Sequence, residues 1–380
     1  MTGAPLEHPL PAGMRDLLPE EAAARRSLAR RVLDQVMLHG YGLVTLPVFE
    51  FADVLERGLG TLDPSDVLRF VEPESGEVAA LRPDMTPQIA RVVATRLRDR
   101  PPPVRLAYEG TVMRRRSGRA RKHRQIPQVG VELAGVPGPG GDLELLALAA
   151  GALRAAGLER FTLDLGDAGI VRALLAGRSP EEQAQVSEAL ARKDEAGVED
   201  ATLGALLRLQ GGRDAIVEGT RLLARTPAAD AVARLLAIFD AAVARGLGAH
   251  VQADLGEVRG FAYYTGPIFH AYAAGTGDAV LSGGRYDELL ARFGCPMPAA
   301  GLAVDLDRLT EARRAAGAPA DAEMRVVVLG AEEDARVAEL RGRGVVAVAF
   351  SGTPEAARAY ARAWGFTHVM EGPALVDLSC

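Results

Sequence analysis

The sequence from Tyr108 to Gly135 reads YEGTVMRRRSGRARKHRQIPQVGVELAG and predicts two strands joined by a basic loop. Residues that favour strands occur from Val104 to Tyr108 and again from Ile126 to Leu133. The loop from Arg114 to Arg124 holds seven Lys or Arg and no Asp or Glu. Short strands joined in this way, with helices at irregular intervals, indicate an α+β fold in which an antiparallel sheet carries helices on one face.

The second of these strands places a polar set on one face. Successive side chains of a strand point to opposite faces, so Gln128, Gly130 and Glu132 share a face. Because glycine has no side chain, we expect room above Gly130 for a small ligand that an amide and a carboxylate would bind. The loop from Arg114 to Arg124 has two interpretations, a solvated loop or a part of the same site.

The pattern of elements changes along the chain and predicts three parts. Residues 1–166 and 249–316 are predicted to form a sheet-containing core, while residues 167–248 have an almost continuous helical pattern and predict a helical insertion. The stretch 317–323, GAPADAE, is typical of a linker. Residues 323–380 alternate three strand patterns with two helical patterns, which predicts a small α/β module with parallel strands.

Local signals predict several turns and helix starts. Thr86 followed by Pro87 predicts an N-cap and a first helical turn, and Asp142 predicts a second N-cap. The small residues of AAGLAVDLDRL predict a helix from about Ala303 to Ala316, and the glycine pair of SGGRYDELL predicts a turn. Pro47 cannot donate a hydrogen bond to a sheet, so its segment is expected at an edge or a crossing point.

The composition argues against several classes of protein. A chain of 380 residues with 48% apolar and 25% charged residues can bury a large core, and no apolar run is long enough to span a membrane. The N-terminal MTGAPLEHPLPAG lacks the sections of a secretory signal. Two cysteines without a CxxC motif predict a cytoplasmic protein without a metal site. The net charge of −6 gives no general attraction to nucleic acid.

Two further motifs place polar groups where a ligand could bind. In RPDMTP, Asp84 and Thr86 either cap a turn or hold the ammonium group of a ligand. In EVRGFAYYTGPIF, glycines bracket Arg259, whose planar guanidinium can bind a carboxylate or phosphate through two hydrogen bonds. Adjacent tyrosines such as Tyr263 and Tyr264 are more typical of half-buried packing than of recognition.

These motifs occur in the order and spacing of histidyl-tRNA synthetases, which the chain resembles from Gly13 to Leu309. The matching segments are GMRDLLP, RPDMTPQIAR, the stretch from YEGTVMR to QVGVE, VRGFAYYTGPIF, GGRYDELL and GLAVDLDRL. The resemblance implies a class II synthetase fold, with a six- or seven-stranded antiparallel sheet flanked by helices and a helical insertion before the last motif. It also implies a dimer formed through the segment around Pro47.

The resemblance further implies a nearly complete pocket for histidine. We expect its amino group, imidazole and carboxylate to be bound by Asp84, Thr86, Arg114, Gln128, Glu132, Arg259, Tyr263 and Tyr264. Side chains of these types complement a cation, an anion and a ring with one donor and one acceptor nitrogen. The family carries Glu at the position of Asp84, so this chain retains the charge on a side chain that is one methylene shorter.

The half of the site that would bind ATP departs from the family pattern. Arg114 matches the family's α-phosphate ligand, but Arg116 stands where the family has Glu. Asp305 replaces a glycine, and Ala262 and His270 replace acids. A carboxylate beside the nucleotide would repel its phosphates. We therefore expect neither catalytic residues nor a cofactor, and no aminoacylation.

A chain with these features resembles the regulatory subunits that pair with short-form ATP phosphoribosyltransferase. Residues 324–380 agree with this, because six Arg, no Lys and seven Asp or Glu make a poor surface for tRNA. The resemblance implies a homodimer within a hetero-octamer, required for catalytic activity and for feedback inhibition by L-histidine in histidine biosynthesis. No membrane or tRNA partner is expected. The alternatives are an active, divergent histidyl-tRNA synthetase and a paralogue that ligates an amino acid to another acceptor.

Overall fold

The computed structural model describes residues 10–59, 67–114, 123–258, 263–318, 324–332 and 334–378. These residues divide into two compact units. The first unit contains residues 10–15 and 28–318, and the second contains residues 16–27 and 324–378. The limits of the helical insertion inside the first unit stay a prediction.

The described residues form twelve α-helices. They are α1 (Pro19–Met37), α2 (Ala52–Leu59), α3 (Thr86–Arg96), α4 (Gly140–Ala155), α5 (Ala168–Leu174), α6 (Pro180–Ala191), α7 (Ala201–Leu206), α8 (Arg213–Leu223), α9 (Ala229–Ala242), α10 (Leu306–Ala315), α11 (Ala335–Gly342) and α12 (Pro354–Ala363). Helices α5 to α9 follow one another with a single two-residue strand between them, which agrees with the helical pattern expected for residues 167–248.

The same residues form sixteen strands. They are β1 (Gly42–Leu43), β2 (Phe49–Phe51), β3 (Arg69–Val71), β4 (Val78–Leu81), β5 (Val104–Met113), β6 (Gln125–Ala134), β7 (Thr162–Asp167), β8 (Gln210–Gly211), β9 (Val251–Asp254), β10 (Pro267–Tyr272), β11 (Leu281–Arg285), β12 (Ala299–Asp305), β13 (Arg325–Leu329), β14 (Val346–Phe350), β15 (His368–Glu371) and β16 (Ala374–Asp377). The expected strand pair around the basic loop is β5 and β6, each longer than predicted.

Nine strands of the first unit form one sheet in the order β1-β5-β6-β12-β11-β10-β7-β9-β8. Most neighbours run antiparallel, but β1 pairs parallel with β5, and β7 pairs parallel with β9. The sheet therefore has more strands than the six or seven antiparallel strands that were expected, because two-residue strands extend both of its edges. A separate antiparallel sheet has the order β2-β4-β3, and Pro47 lies outside the strands, between edge strand β1 and this sheet.

Strand β6 separates two hydrophobic cores. Val129, Val131 and Leu133 belong to the larger core, to which α1, α4 and α9 contribute buried leucines and valines. The alternate side chains of β6 face a smaller core that contains residues of α2, α3 and β5. The predicted common face of Gln128 and Glu132 is thus confirmed, and it is the face on which the candidate site lies.

Two residues predicted to be N-caps do not cap their helices. Thr86 is the first residue of α3, and its hydroxyl donates to the carboxylate of Glu132. Asp142 is the third residue of α4, and its carboxylate accepts a hydrogen bond from Arg285. Both predictions were wrong because a long-range partner competes with the local backbone for the same polar side chain.

Near the end of the first unit, the glycine pair of SGGRYDELL forms a strand instead of a turn, and the helix predicted from about Ala303 to Ala316 begins three residues later. Gly283 and Gly284 lie within β11, and α10 begins at Leu306, since the residues from Ala299 to Asp305 form β12. A Cβ atom at Gly283 would lie 2.6 Å from the carbonyl oxygen of Gly301. Small residues are therefore required by close packing inside the sheet.

The second unit contains a four-stranded sheet in the order β14-β13-β15-β16. Strand β13 pairs parallel with β14 and β15, as predicted, and β16 adds an antiparallel edge that was not predicted. Helices α11 and α12 pack against opposite faces of β13. None of the helices in the described ranges has the length and apolar character needed to cross a bilayer.

Candidate functional site

A cavity of about 300 Å³ lies in the first unit, over the middle strands of the nine-stranded sheet. This volume is at the lower end of the range of about 300 to 1,000 Å³ for small-molecule sites. Its polar and aromatic lining consists of Asp84, Thr86, Tyr108, Arg114, Gln128, Tyr263, Tyr264, His270, Tyr272, Asp278, Ser282, Tyr286 and Asp305. The cavity thus brings hydrogen-bond donors, acceptors and aromatic rings together around a space for a small polar molecule.

The turn before α3 contributes Asp84, and α3 contributes its first residue, Thr86. Oδ2 of Asp84 accepts a hydrogen bond from the hydroxyl of Tyr263 at 2.8 Å, and Oδ1 accepts one from the backbone N–H of Thr86 at 3.2 Å. The hydroxyl of Thr86 donates to Oε1 of Glu132 at 2.6 Å. The turn interpretation of RPDMTP is therefore confirmed for Asp84, which also lines the cavity, whereas its binding of a ligand's ammonium group stays a prediction.

Arg82 anchors this turn from behind the cavity. Its guanidinium is buried and donates to the carbonyl oxygens of Leu46, Pro47 and Thr111 at 3.0, 3.0 and 2.9 Å. A rigid planar donor group that bridges three carbonyls fixes the backbone on both sides of it. The position of Asp84, two residues later, follows from this anchor.

Two glycines make space for the larger side chains of the site. A Cβ atom at Gly130 would collide with the ring and hydroxyl of Tyr108, and a Cβ at Gly301 would collide with the carboxylate of Glu132. In each case the larger side chain comes from the neighbouring strand, because Tyr108 pairs with Gly130 and Glu132 pairs with Gly301. The expectation of open room above Gly130 is therefore wrong, since the Tyr108 side chain fills that space.

Glu132 is a buried carboxyl group at the base of this network, with 5% of its surface exposed. Oε1 accepts hydrogen bonds from Thr86 and, at 3.4 Å, from the hydroxyl of Tyr108, whereas Oε2 has no partner among the residues that the structure describes. Burial raises the pKa of Glu132 well above 4.5 against the opposing hydrogen bond from Thr86, and the charge of Asp84 raises it further. A ligand donor at Oε2 would relieve an unpaired acceptor that costs about 1 to 3 kcal/mol.

We expect a Glu132→Gln variant to gain stability relative to the wild type as the pH rises above 4.5. The folded wild type retains a proton that its unfolded chain releases above this pH, so unfolding becomes more favourable by at most about 1.4 kcal/mol per pH unit up to the raised pKa. Glutamine does not titrate and escapes this loss. Melting temperatures of both proteins between pH 5 and pH 8 test the prediction, which a constant difference would contradict.

Arg114 and His270 line the cavity away from Glu132. Nε of Arg114 donates to the carbonyl oxygen of Pro83 at 2.7 Å, which ties the end of β5 to the turn that carries Asp84. Nδ1 of His270 and the hydroxyl of Ser282 share a hydrogen bond of 2.9 Å between paired positions of β10 and β11. The guanidinium and the imidazole at the lining are therefore each bound to a protein partner.

Asp305 occupies the N-terminus of α10. Its Oδ1 accepts hydrogen bonds from the backbone N–H groups of Asp307 and Arg308, both at 3.1 Å. A helix N-terminus is a favourable place for a phosphate because its N–H groups and dipole attract anions. Here the protein's own carboxylate takes that place. The N–H groups shield the charge of Asp305, but they are not available to a nucleotide.

One group of acids outside the cavity has the spacing of metal ligands. Carboxylate oxygens of Asp164, Asp254 and Glu257 lie within 4.8 Å of one another, and all three residues are buried. Nζ of Lys193 lies 2.5 Å from Oδ2 of Asp254 and compensates part of the negative charge. The ammonium group of Lys193 already supplies a positive charge to these acids, so we assign no metal ion to them.

Six of the eight predicted histidine-binding residues line the cavity: Asp84, Thr86, Arg114, Gln128, Tyr263 and Tyr264. Glu132 lies behind Thr86, with its Oε2 atom over Gly301, which lines the cavity. Arg259 lies outside the described residues, as do Arg116 and Ala262. The role of these residues in binding stays a prediction.

Sequence reasoning missed five polar or aromatic lining residues: Tyr108, Tyr272, Asp278, Ser282 and Tyr286. The position of Tyr108 could have been found from the register of the β5 and β6 pair, which sets it opposite Gly130. The others lie on or beside β10 and β11, and the glycine pair of β11 was interpreted as a turn. That error concealed the strand that brings them to the cavity.

Comparison with known proteins agrees with this fold. The family model described as Histidyl-tRNA synthetase matches residues 13–309. An ATP phosphoribosyltransferase regulatory subunit of Moorella thermoacetica is 41% identical over 356 residues, which cover 89% of this chain and 91% of that protein. A protein of the same name from Anaeromyxobacter dehalogenans is 44% identical over 330 residues, with 81% of this chain and 92% of that protein covered.

A solved structure leads to the same result. It is described as an ATP phosphoribosyltransferase regulatory subunit/histidyl-tRNA synthetase from Bacillus halodurans C, and it matches with a TM-score of 0.81 and 30% identity, covering 97% of this chain and 98% of that chain. The fold is thus that of the class II, histidyl-tRNA synthetase-like proteins, as predicted. Within that class, the chain belongs to the family of ATP phosphoribosyltransferase regulatory subunits.

Proposed function

We propose that this chain is a histidine-sensing, non-catalytic subunit of ATP phosphoribosyltransferase. Its partner is a short-form catalytic subunit, which needs this chain for activity and receives through it the feedback inhibition by L-histidine. The chain acts in the cytoplasm as a homodimer within a hetero-octamer and binds no tRNA. Regulation follows from linkage, because histidine that prefers one state of the assembly shifts the population of states.

One observation carries the proposal, namely the arrangement of acidic acceptors around the cavity. The carboxylate of Asp84 lies at the lining and suits an ammonium group, and the amide of Gln128 lines the same cavity from β6. Oε2 of Glu132, which has no partner within the described ranges, suits the N–H of an imidazole. We propose Arg259 as the partner of the ligand's carboxylate.

The proposal that no aminoacylation occurs is supported by Asp305. Adenylate formation requires ATP to place its phosphates next to the bound amino acid. The N–H groups at the start of α10 could attract phosphate, but they are bound to Oδ1 of Asp305. Loss of this favourable contact, together with a carboxylate at the same place, disfavours a nucleotide.

The experiment that tests the function mixes the purified chain with a short-form catalytic subunit. We expect phosphoribosyl transfer to be stimulated by the chain and the stimulated activity to fall when histidine is added. Coupling between sites is typically about 1 to 3 kcal/mol, so histidine is expected to bind about 5- to 150-fold more tightly to the inhibited state. The same chain alone should catalyse no histidine-dependent exchange of pyrophosphate into ATP. Exchange, or the absence of both complex and stimulation, contradicts the proposal.

A further inference from the structure

Tyr108 is completely enclosed, with 1% of its surface exposed, and yet it forms part of the cavity lining. It extends from β5 over Gly130 of β6, the position directly opposite. Its hydroxyl lies 3.4 Å from Oε1 of Glu132, two residues further along β6. The ring therefore fills the gap that glycine leaves between the side chains of Gln128 and Glu132.

The hydroxyl of Tyr108 completes the set of donors around one oxygen of Glu132. Oε1 accepts from Thr86 on one side and from Tyr108 on the other, at 2.6 and 3.4 Å. Two donors from different elements restrict rotation of the carboxyl group. Oε2 is thereby held next to Gly301, a glycine that lines the cavity, and close to the hydroxyl of Tyr286.

We infer that Tyr108 is a positioning residue that makes this site selective for an imidazole with an unsubstituted ring nitrogen. The inference rests on the proposed histidine function and extends it to the basis of ligand selectivity. With Oε1 engaged, only Oε2 is left to accept a ring N–H, for which Glu132 gives up its proton to the imidazole or to solvent on binding. A ring nitrogen that carries a methyl group offers no donor and meets a carboxyl group that cannot rotate away.

The selectivity depends on the fixed orientation of Glu132 more than on its charge. A site that hydrogen-bonds a ligand group discriminates strongly against an analogue that lacks this group, because the buried acceptor is left unpaired. If the carboxyl group could rotate, it would find another partner and the penalty would fall. Removing the Tyr108 hydroxyl while keeping its ring should therefore reduce discrimination more than it reduces general affinity.

The test measures dissociation constants of L-histidine and of its two N-methylated ring isomers by calorimetry. For the wild type we expect one isomer to bind at least about 100-fold more weakly than histidine. In Tyr108→Phe we expect this ratio to fall by about 3- to 10-fold, with histidine itself bound about 2- to 10-fold more weakly. General loosening of the fold would weaken all three ligands alike and would leave the ratio unchanged.

A matched control is Tyr41→Phe. Tyr41 is also buried, and its hydroxyl donates to Oε1 of Glu144 at 2.9 Å, but it lies outside the cavity lining. This variant should bind all three ligands as the wild type does. An unchanged ratio in Tyr108→Phe, in a protein that binds histidine, overturns the inference and leaves the proposed function standing. A wild type that binds no histidine overturns both.

Discussion

Replacing Glu132 with alanine is expected to weaken histidine binding by about 10- to 150-fold, because a hydrogen bond to a charged group contributes about 1.5 to 3 kcal/mol. The variant loses the acceptor at Oε2 and also leaves the hydroxyl of Thr86 without its 2.6 Å partner. Calorimetric titration of the purified chain with L-histidine measures the change in dissociation constant directly.

The control for this prediction replaces a different glutamate, which lies on the neighbouring strand β5. Glu109 follows Tyr108 on β5, and its side chain is exposed on the opposite face of the strand. Glu109→Ala should bind histidine with unchanged affinity. If Glu132→Ala also retains the wild-type affinity, histidine binds at another place, such as the interface with the catalytic subunit, and the cavity is not the sensor.

The sequence predicted those parts of the fold that depend on local periodicity. Strand β6 has alternating side chains, so the common face of Gln128 and Glu132 followed from a period of two. Helix α1 shows the same relation between period and burial, because Leu28, Val32 and Val36 recur one turn apart and are all buried. Such predictions succeed because the pattern that places a residue inside an element also decides which side of it is buried.

Predictions failed where a distant residue decides the conformation. AAGLAVD consists of small residues that suit a helix or a close-packed strand, and only the pairing of Ala299–Asp305 with β6 and β11 decides for a strand. The carboxylate of Asp142 binds Arg285, which is 143 residues away, instead of the nearby backbone. No local signal distinguishes these outcomes, because the energy that selects them comes from tertiary packing.

The members of the site could be predicted only through the resemblance to a known family. Asp84 and Tyr263 share a hydrogen bond of 2.8 Å across 179 residues of sequence. Periodicity contains no information about such a contact. Motifs that match a known family do, because residues that lie together in the family's site are expected to lie together here. The resemblance did not reveal that Tyr108 fills the space over Gly130, since that depends on the packing of a particular side chain.

The second large effect concerns stability and is expected for Arg285→Met, which should destabilise the first unit by about 3 to 5 kcal/mol. Nε of Arg285 lies 2.7 Å from Oδ1 of Asp142, and the two side chains are only 4% and 5% exposed. Burial already raises the pKa of Asp142, against the effect of Arg285. Without the guanidinium, the buried carboxyl group of Asp142 must either stay charged without a partner or take up a proton, and both outcomes destabilise the folded state. Urea denaturation at pH 7 measures the loss.

Two companion variants separate burial from charge pairing. Arg172→Met breaks an ion pair of 2.9 Å with Glu288 whose side chains are 52% and 56% exposed, so it should cost no more than about 1 kcal/mol. Arg285→Met combined with Asp142→Leu should recover most of the lost stability, because no unpaired charge stays buried. Equal losses from Arg285→Met and Arg172→Met would show that Asp142 is solvated, and that the ion pair between β11 and α4 does not hold these elements together.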